Sequence, residues 1–411
     1  MGAPPRPHPL TRSRFANNVN RAITTMWAKG WTTQPALEPD ALWALGAKGF
    51  SHEDEVSIRA PEEVADFRER LDRLCRSLRE EADLNALGHT MAYGQLKKAI
   101  HDRHALGRLW RRRPDLARTQ IAPPIAVIGQ MRSGTTRVHR LLAADPRHCG
   151  TRFCDSHHPV PASPDLRPLV SRAALAFLRR INPWLDTLHP FGPTRADEEI
   201  GWLAAALSPA SYEAQWRIPS FVAWSEALDP APVYAEFARI LRTDAAHHDN
   251  GDRPRILKCP QFTEDLPALF ASIPGIRCIV THRDEGAVWQ SAVSMVACQS
   301  AYQSDSITLS EIETEWERKI ALREERLSAG LRKVDGTSAA VGFDELNADW
   351  QGEIRRLYSE LGLTLDDRAL HAMTRELDRK SRKPHQSHSR QLQNFDLRRP
   401  SQAGKALRAA R

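Results

Sequence analysis

Residues 125–142, IAVIGQMRSGTTRVHRLL, carry the pattern that decides the fold: a short apolar run stops at Gly129 and a helical period begins after Gly134. The pattern predicts a strand, a tight loop and a helix start. Consecutive backbone N–H groups in such a loop suit a phosphate-like anion, because the unpaired N–H groups and positive dipole end of the helix add to them. Ser133, Thr135 and Thr136 supply hydroxyl donors, and Arg132 supplies a planar charged fork.

Gly129 and Gly134 have the Gly-x-x-x-x-Gly spacing of a nucleoside-triphosphate loop, yet Thr135 stands where that frame requires a lysine to reach the β- and γ-phosphates. The cation is Arg132, two places before the second glycine. This displacement points away from ATP or GTP, toward a nucleotide whose 5′ end is not a triphosphate. GQMRSGTT resembles the 5′-phosphosulfate loop of sulfotransferases, which take a sulfuryl group from 3′-phosphoadenosine 5′-phosphosulfate. The resemblance implies that Arg132, Ser133, Gly134, Thr135 and Thr136 hold that donor.

Outward from the loop, RILKCP (255–260), RCIVTHRD (277–284) and SAAVGFDEL (338–346) read as further strands, with helical stretches between them. Polar residues cluster where each strand stops. This arrangement predicts an α/β fold with a central parallel sheet and a site at its carboxyl edge. With the resemblance it implies a P-loop-like three-layer sandwich. FRERLDRLCRSL (67–78) places Phe67, Leu71, Leu74, Cys75 and Leu78 on one helical face. The expected organisation is an N-terminal helical segment at 1–120, a sulfotransferase domain at 121–400 and a basic tail at 401–411. Residues 1–20, rich in Pro and Arg, are expected to be irregular, and the helical segment caps the sheet or offers a homodimer surface. Trp184, Trp202, Trp216, Trp224, Phe191 and Phe221 belong either to the core or to an acceptor pocket.

THRDEGAVWQS (281–291) resembles the sulfotransferase segment that holds the donor's 3′-phosphate, with Arg283 followed eight residues later by Ser291. LKCPQF (257–262) resembles the Lys-x-Pro element of bacterial and tyrosylprotein-type sulfotransferases, which implies that Lys258 donates to the leaving phosphate or the sulfuryl group. The likeness is greatest to the large bacterial family and also covers HPFGPTRADEE (189–199) and KPHQSHSRQLQNF (383–395), where Arg382 and Lys383 loosely match a basic clamp. It departs at Glu285, where the family often has proline, and at HCGTRF (148–153), which lacks the glutamate that tyrosylprotein sulfotransferases use as base. His189 and Glu198 are the candidate bases, with His157 and His158 as competitors. No metal is expected, since cationic side chains and loop amides supply the charge that Mg²⁺ brings to kinases.

Composition narrows the alternatives. With 411 residues, 41% hydrophobic and 27% charged, the chain reads as globular rather than disordered. Its net charge of +7 is concentrated at 379–411, where ten Lys or Arg face one acid, Asp396; the rest is slightly acidic and does not resemble a nucleic-acid groove. No apolar run reaches the ~20 residues of a membrane span, and the N-terminus has no apolar signal core, so a cytoplasmic location is expected. Six cysteines are expected to be free thiols. Cys149, Cys154, His148, His157 and His158 crowd one stretch without matching a standard zinc ligand set. The acceptor stays open among small molecules, glycans and peptides. A divergent P-loop kinase and a nucleotide-binding homologue without turnover are the alternative functions.

Overall fold

The apolar runs become short parallel strands in the computed structural model, which describes residues 3–379 except 335 and 337, together with 392, 394, 395 and 397. Arg382, Lys383, most of the 383–395 stretch and the 401–411 tail lie outside the described residues. The strands are β1 (Ile125–Ile128), β2 (Cys149–Gly150), β3 (Arg255–Leu257), β4 (Arg277–His282) and β5 (Ser338–Gly342). They form one sheet in the order β2-β3-β1-β4-β5, all pairs parallel, with Ala126 opposite Leu257 on one side and Cys278 on the other.

Every β1 side chain is buried because helices cover both faces of the sheet. Ile125, Val127 and Ile279 face Val138, Leu141, Ile354 and Leu357. Ala126, Ile128 and Val280 face Tyr234, Phe237 and Trp202. The chain winds to one side of β1 through β3 and to the other through β4, so a crevice opens beyond the carboxyl end of β1. The anion loop stands there.

The Pro61–Glu80 helix buries Phe67, Leu71, Leu74, Cys75 and Leu78, the stripe that the period predicts. The next helix, Ala86–Arg112, starts where the Asn85 side chain accepts from the Gly88 N–H, and its last turns place Leu106 and Trp110 in the same cluster as Ala126 and Ile128. The Trp110 Nε1–H donates to Thr243 Oγ1 at 2.8 Å. The N-terminal helices thus share a core with the sheet.

One expectation needs correction, and one open alternative is resolved. Residues 1–20 are not irregular throughout: a helix spans Arg14–Ala28, capped by Ser13, whose Oγ accepts from the Ala16 N–H. Phe15, Val19 and Ile23 form its packing stripe against Leu87, Ile181 and Tyr302, and the dense Pro and Arg residues just before it mask that period. The aromatic residues at 184–224 are mostly core: Trp184, Trp202, Trp216 and Phe221 are buried, and Trp224 is partly buried against them. Phe191 alone of the six reaches the cavity described below. The six cysteines are free and buried, and burial raises each thiol pKa, to about 12 at Cys75 and Cys154 and about 11 at Cys278. Among the described residues no helix is long and apolar enough to cross a membrane.

Candidate active site

The loop after β1 needs its glycines. Gly129 has φ +148°, and a Cβ there would lie 2.3 Å from Thr281 Oγ1; Gly134 has φ +99°, and a Cβ would lie 2.9 Å from the Phe343 ring. Arg132 is left-handed too, at φ +72°, a conformation that costs a non-glycine residue ~1 kcal/mol or more. Three contacts hold it. The Arg283 Nη1–H donates to the Arg132 carbonyl at 2.8 Å, the Arg132 Nε–H to Ser291 Oγ at 2.8 Å, and the Arg132 Nη1–H to the Leu188 carbonyl at 2.7 Å. The two segments that the sequence assigns to opposite ends of a nucleotide are therefore one hydrogen-bonded unit.

Burial, then the nearby Arg283 charge, push the Arg132 guanidinium down to about 10. Arg283 lies over the Phe343 ring, 4.0 Å from its centroid. Arg132, Thr135 and Thr136 line a cavity of about 480 Å³; Arg283 and Ser291 touch Arg132 without lining that cavity themselves. Ser133 differs from the expectation. Its hydroxyl is 2.6 Å from both the Gln130 carbonyl and Thr281 Oγ1, and its N–H donates to the same carbonyl, so both groups are engaged in fastening the loop to β4.

Lys258 follows β3 and is buried. Its N–H donates to Glu199 Oε2 at 2.7 Å, and its ammonium is paired with Glu198 Oε1. Burial pushes the Glu199 carboxyl up to about 8. His189 stands beside this pair: Nε2 is 3.1 Å from Asp197 Oδ1, and Nδ1 is 3.7 Å from Glu198 Oε1. The Asp197 carboxylate, nearer to Nε2 than the Arg140 Nη2 at 3.4 Å, favours the tautomer protonated there and leaves Nδ1 to accept a proton on the Glu198 side. Burial lowers the His189 pKa, with Asp197 pulling the other way. Asp197, although burial favours its neutral form, is held below the usual carboxylate range by His189, Arg140 and Lys258.

Lys258, Glu198, His189 and Asp197 all line the cavity beside Arg132. Asp197 and Arg140, whose Nη2 is 3.7 Å from Asp197 Oδ2, are additions to the sequence reading. Asp197 was signalled only by its place in HPFGPTRADEE. The far cavity wall is a second addition: Met91, Gln95 and Lys98 come from the N-terminal helical segment, and Trp316 and Arg323 from the Leu309–Leu331 helix.

His157 and His158 line the same cavity, each pushed down to about 4 by burial. The crowded 148–158 stretch does not converge as a ligand set: His148 Nδ1 pairs with the Leu142 carbonyl, and the Cys149 and Cys154 thiols are buried apart from the histidines' cavity. Among the described residues ligand atoms do converge at Asp155, Asp244 and His248, where Arg152, Arg167 and Arg255 pair with the carboxylates, and at His189, Asp197 and Glu198. At the latter the charges of Lys258 and Arg140 already compensate the two carboxylates, which fits a proton relay better than a cation site.

Comparisons with known proteins bear on the family and the fold. The Sulfotransferase family profile matches residues 123–367. The omega-hydroxy-beta-dihydromenaquinone-9 sulfotransferase Stf3 of Mycobacterium bovis is 26% identical over 258 residues, 60% of this chain and 65% of that protein, so the match spans less than two thirds of the relative. Sulfotransferase STF1 from Mycobacterium tuberculosis H37Rv superposes with a TM-score of 0.71 at 26% identity, covering 88% of this chain and 99% of that chain. Sulfotransferase STF9 from Mycobacterium avium, at 17% identity, shares the fold with a TM-score of 0.74 over 84% of this chain and 89% of its own. Matched by the family profile over more than half of its length, the chain belongs to the sulfotransferase family.

Proposed function

We propose that the protein transfers a sulfuryl group from 3′-phosphoadenosine 5′-phosphosulfate to an alcohol, in the cytoplasm where that donor is made. The observation that carries this reading is the Ser291–Arg132–Arg283 hydrogen-bonded unit, which stands directly beside the Lys258–Glu198–His189 group. The 5′ end of the donor lies against Arg132, Thr135, Thr136 and the leading N–H groups of the Thr135–Ala144 helix, and the 3′-phosphate lies on Arg283 and Ser291. The acceptor oxygen attacks sulfur while the bond from sulfur to the bridging phosphate oxygen breaks. His189 Nδ1 or Glu198 takes the acceptor's proton, and Lys258 with Arg132 stabilises the charge that appears on the departing phosphate.

The acceptor we favour is a small alcohol on an apolar body rather than a glycan or peptide. Leu175, Leu178, Leu188, Met295 and Phe191 are among the apolar side chains that line the cavity, Phe191 stacked on His189 at 4.5 Å, and the relative Stf3 is named for a hydroxylated menaquinone.

Isothermal calorimetry with 3′-phosphoadenosine 5′-phosphate tests the donor assignment. Arg132→Ala and Arg283→Ala are each expected to weaken binding at least tenfold. Wild-type affinity in both variants refutes it.

A further inference from the structure

The Arg167–Ile181 helix has two apolar faces, where a helix on a protein surface ordinarily needs one. Ser171, Leu175 and Leu178 face inward and line the cavity. Leu166, Leu169, Val170, Ala173 and Phe177 recur at helical spacing on the other side and are exposed, Leu169 at 57% and Val170 at 51%. Against this helix packs the Arg14–Ala28 helix, through Phe15 on Phe177 at 6.1 Å and the Ser13 hydroxyl donating to the Ile181 carbonyl at 2.7 Å. That second helix and the turn after it expose Met26 and Trp31. Six of the seven large hydrophobic side chains exposed among the described residues therefore lie on this pair of elements. Scattered exposed apolar residues need no explanation, but a concentration of this kind does.

The charge of the same two segments is one-sided along the chain. No acid occurs between residues 3 and 37 or between 166 and 185, while Arg14, Arg21, Lys29, Arg172 and Arg180 are exposed there; the acids against them are Asp305, paired with Arg12, and Asp186, paired with Arg179. The chain outside its basic tail is slightly acidic, so this run of cations is local. Apolar side chains flanked by Arg and Lys are the composition of helices that lie in a bilayer interface. Ala174 is both exposed and part of the cavity lining, so the cavity reaches solvent at the edge of the patch.

The geometry points to a docking surface for an anionic lipid bilayer, formed by the outer face of the Arg167–Ile181 helix together with the Arg14–Ala28 helix. Bound this way, the protein turns its cavity mouth toward the acyl chains, and an apolar alcohol dissolved in the lipid reaches His189 and Glu198 without crossing water. That delivery role rests on the sulfotransferase reading; the docking itself does not.

Sedimentation of the full chain with phospholipid vesicles, in the absence of any nucleotide, tests it. Vesicles containing phosphatidylglycerol are expected to retain at least tenfold more protein than pure phosphatidylcholine vesicles, with retention falling as salt rises. Leu169→Gln with Val170→Gln removes exposed side chains only, and is expected to abolish retention while 3′-phosphoadenosine 5′-phosphate still binds as in the wild type. Arg172→Glu with Arg180→Glu is expected to erase the preference for the anionic lipid. Equal, weak retention on both vesicles overturns the proposal. So does a soluble dimer that the Leu169→Gln, Val170→Gln variant dissolves, because a second copy then covers this face. Neither result bears on whether sulfuryl transfer occurs.

Discussion

Lys258 carries its charge where water barely reaches, 3% exposed at the side chain, and the carboxylate of Glu198 is what makes that position tolerable. A cation held there before substrate arrives costs no reorganisation when negative charge moves onto the leaving group. Lys258→Met is therefore expected to lower kcat by about 10²–10³ while leaving nucleotide affinity within a few fold, as measured by steady-state kinetics and calorimetry. His189 is the partner in this argument. Only its neutral form accepts a proton, and because burial holds its pKa below the ordinary 6.5 of histidine, that form persists into mildly acidic solution. The acid limb of kcat/KM is expected below pH 6.5, and His189→Gln is expected to remove that limb. A limb at or above 6.5 would assign the base elsewhere.

At the scale of elements, the Leu309–Leu331 helix is fixed against the cavity by one buried ionic cluster. Lys319 Nζ lies 2.8 Å from Glu226, 2.9 Å from Glu264 and 3.0 Å from Glu213, and Arg323, one turn on, reaches Glu264 and Glu213 at 2.7 Å each. The Gln130 side chain donates to the Ile320 carbonyl at 2.9 Å, which ties the anion loop to the same helix. Lys319→Met removes the cation that bridges Glu213, Glu226 and Glu264 and is expected to cost about 3–5 kcal/mol in urea unfolding. A loss under about 1 kcal/mol would mean that Arg323 on Glu213 and Glu264, with Arg318 on Glu226, compensates them.

Much of this layer could be read in the chain beforehand, for identifiable reasons. β1, β3 and β4 lie in apolar runs, as strands buried on both faces do, while the edge strand β5 alternates, with Ser338 and Ala340 exposed and Ala339 and Val341 buried. β2, Cys149–Gly150, is too short to carry any period. That Arg132, Lys258, Arg283 and Ser291 gather at one edge of the sheet could be anticipated, because each sits at a strand end, in the loop after it or in the helix that follows. The partnership of Asp197 with Arg140, the ionic cluster and the wall supplied by Gln95 and Lys98 join residues more than fifty positions apart. That the Ser133 hydroxyl turns toward Gln130 and Thr281 was not legible, because its sequence neighbourhood does not tell which way a hydroxyl turns.

For the whole molecule, two sets of buried groups pull stability in opposite directions with pH. His139, His157 and His158 are pushed down by burial, to about 3, 4 and 4, so in the folded state they resist protons that the unfolded chain accepts below about 6.5. Their contribution is present above that pH and lost as pH falls. Glu199 and Asp265 are pushed up by burial, to about 8 and about 7; their contribution is fully present below the ordinary carboxyl range and lost as pH rises through those values. Three histidines outweigh two carboxyls on the acid side and fade on the basic side. The urea midpoint is expected to peak between about pH 6 and 7.

The sequestered cysteines have a practical corollary. A folded molecule offers an alkylating reagent nothing to attack, so any thiol that becomes labelled records a local opening. Cys75 lies in the Pro61–Glu80 helix, Cys149 and Cys278 in β2 and β4, and Cys298 in the Glu285–Ser300 helix. The order in which iodoacetamide marks them is a built-in clock for which region of the molecule comes apart first.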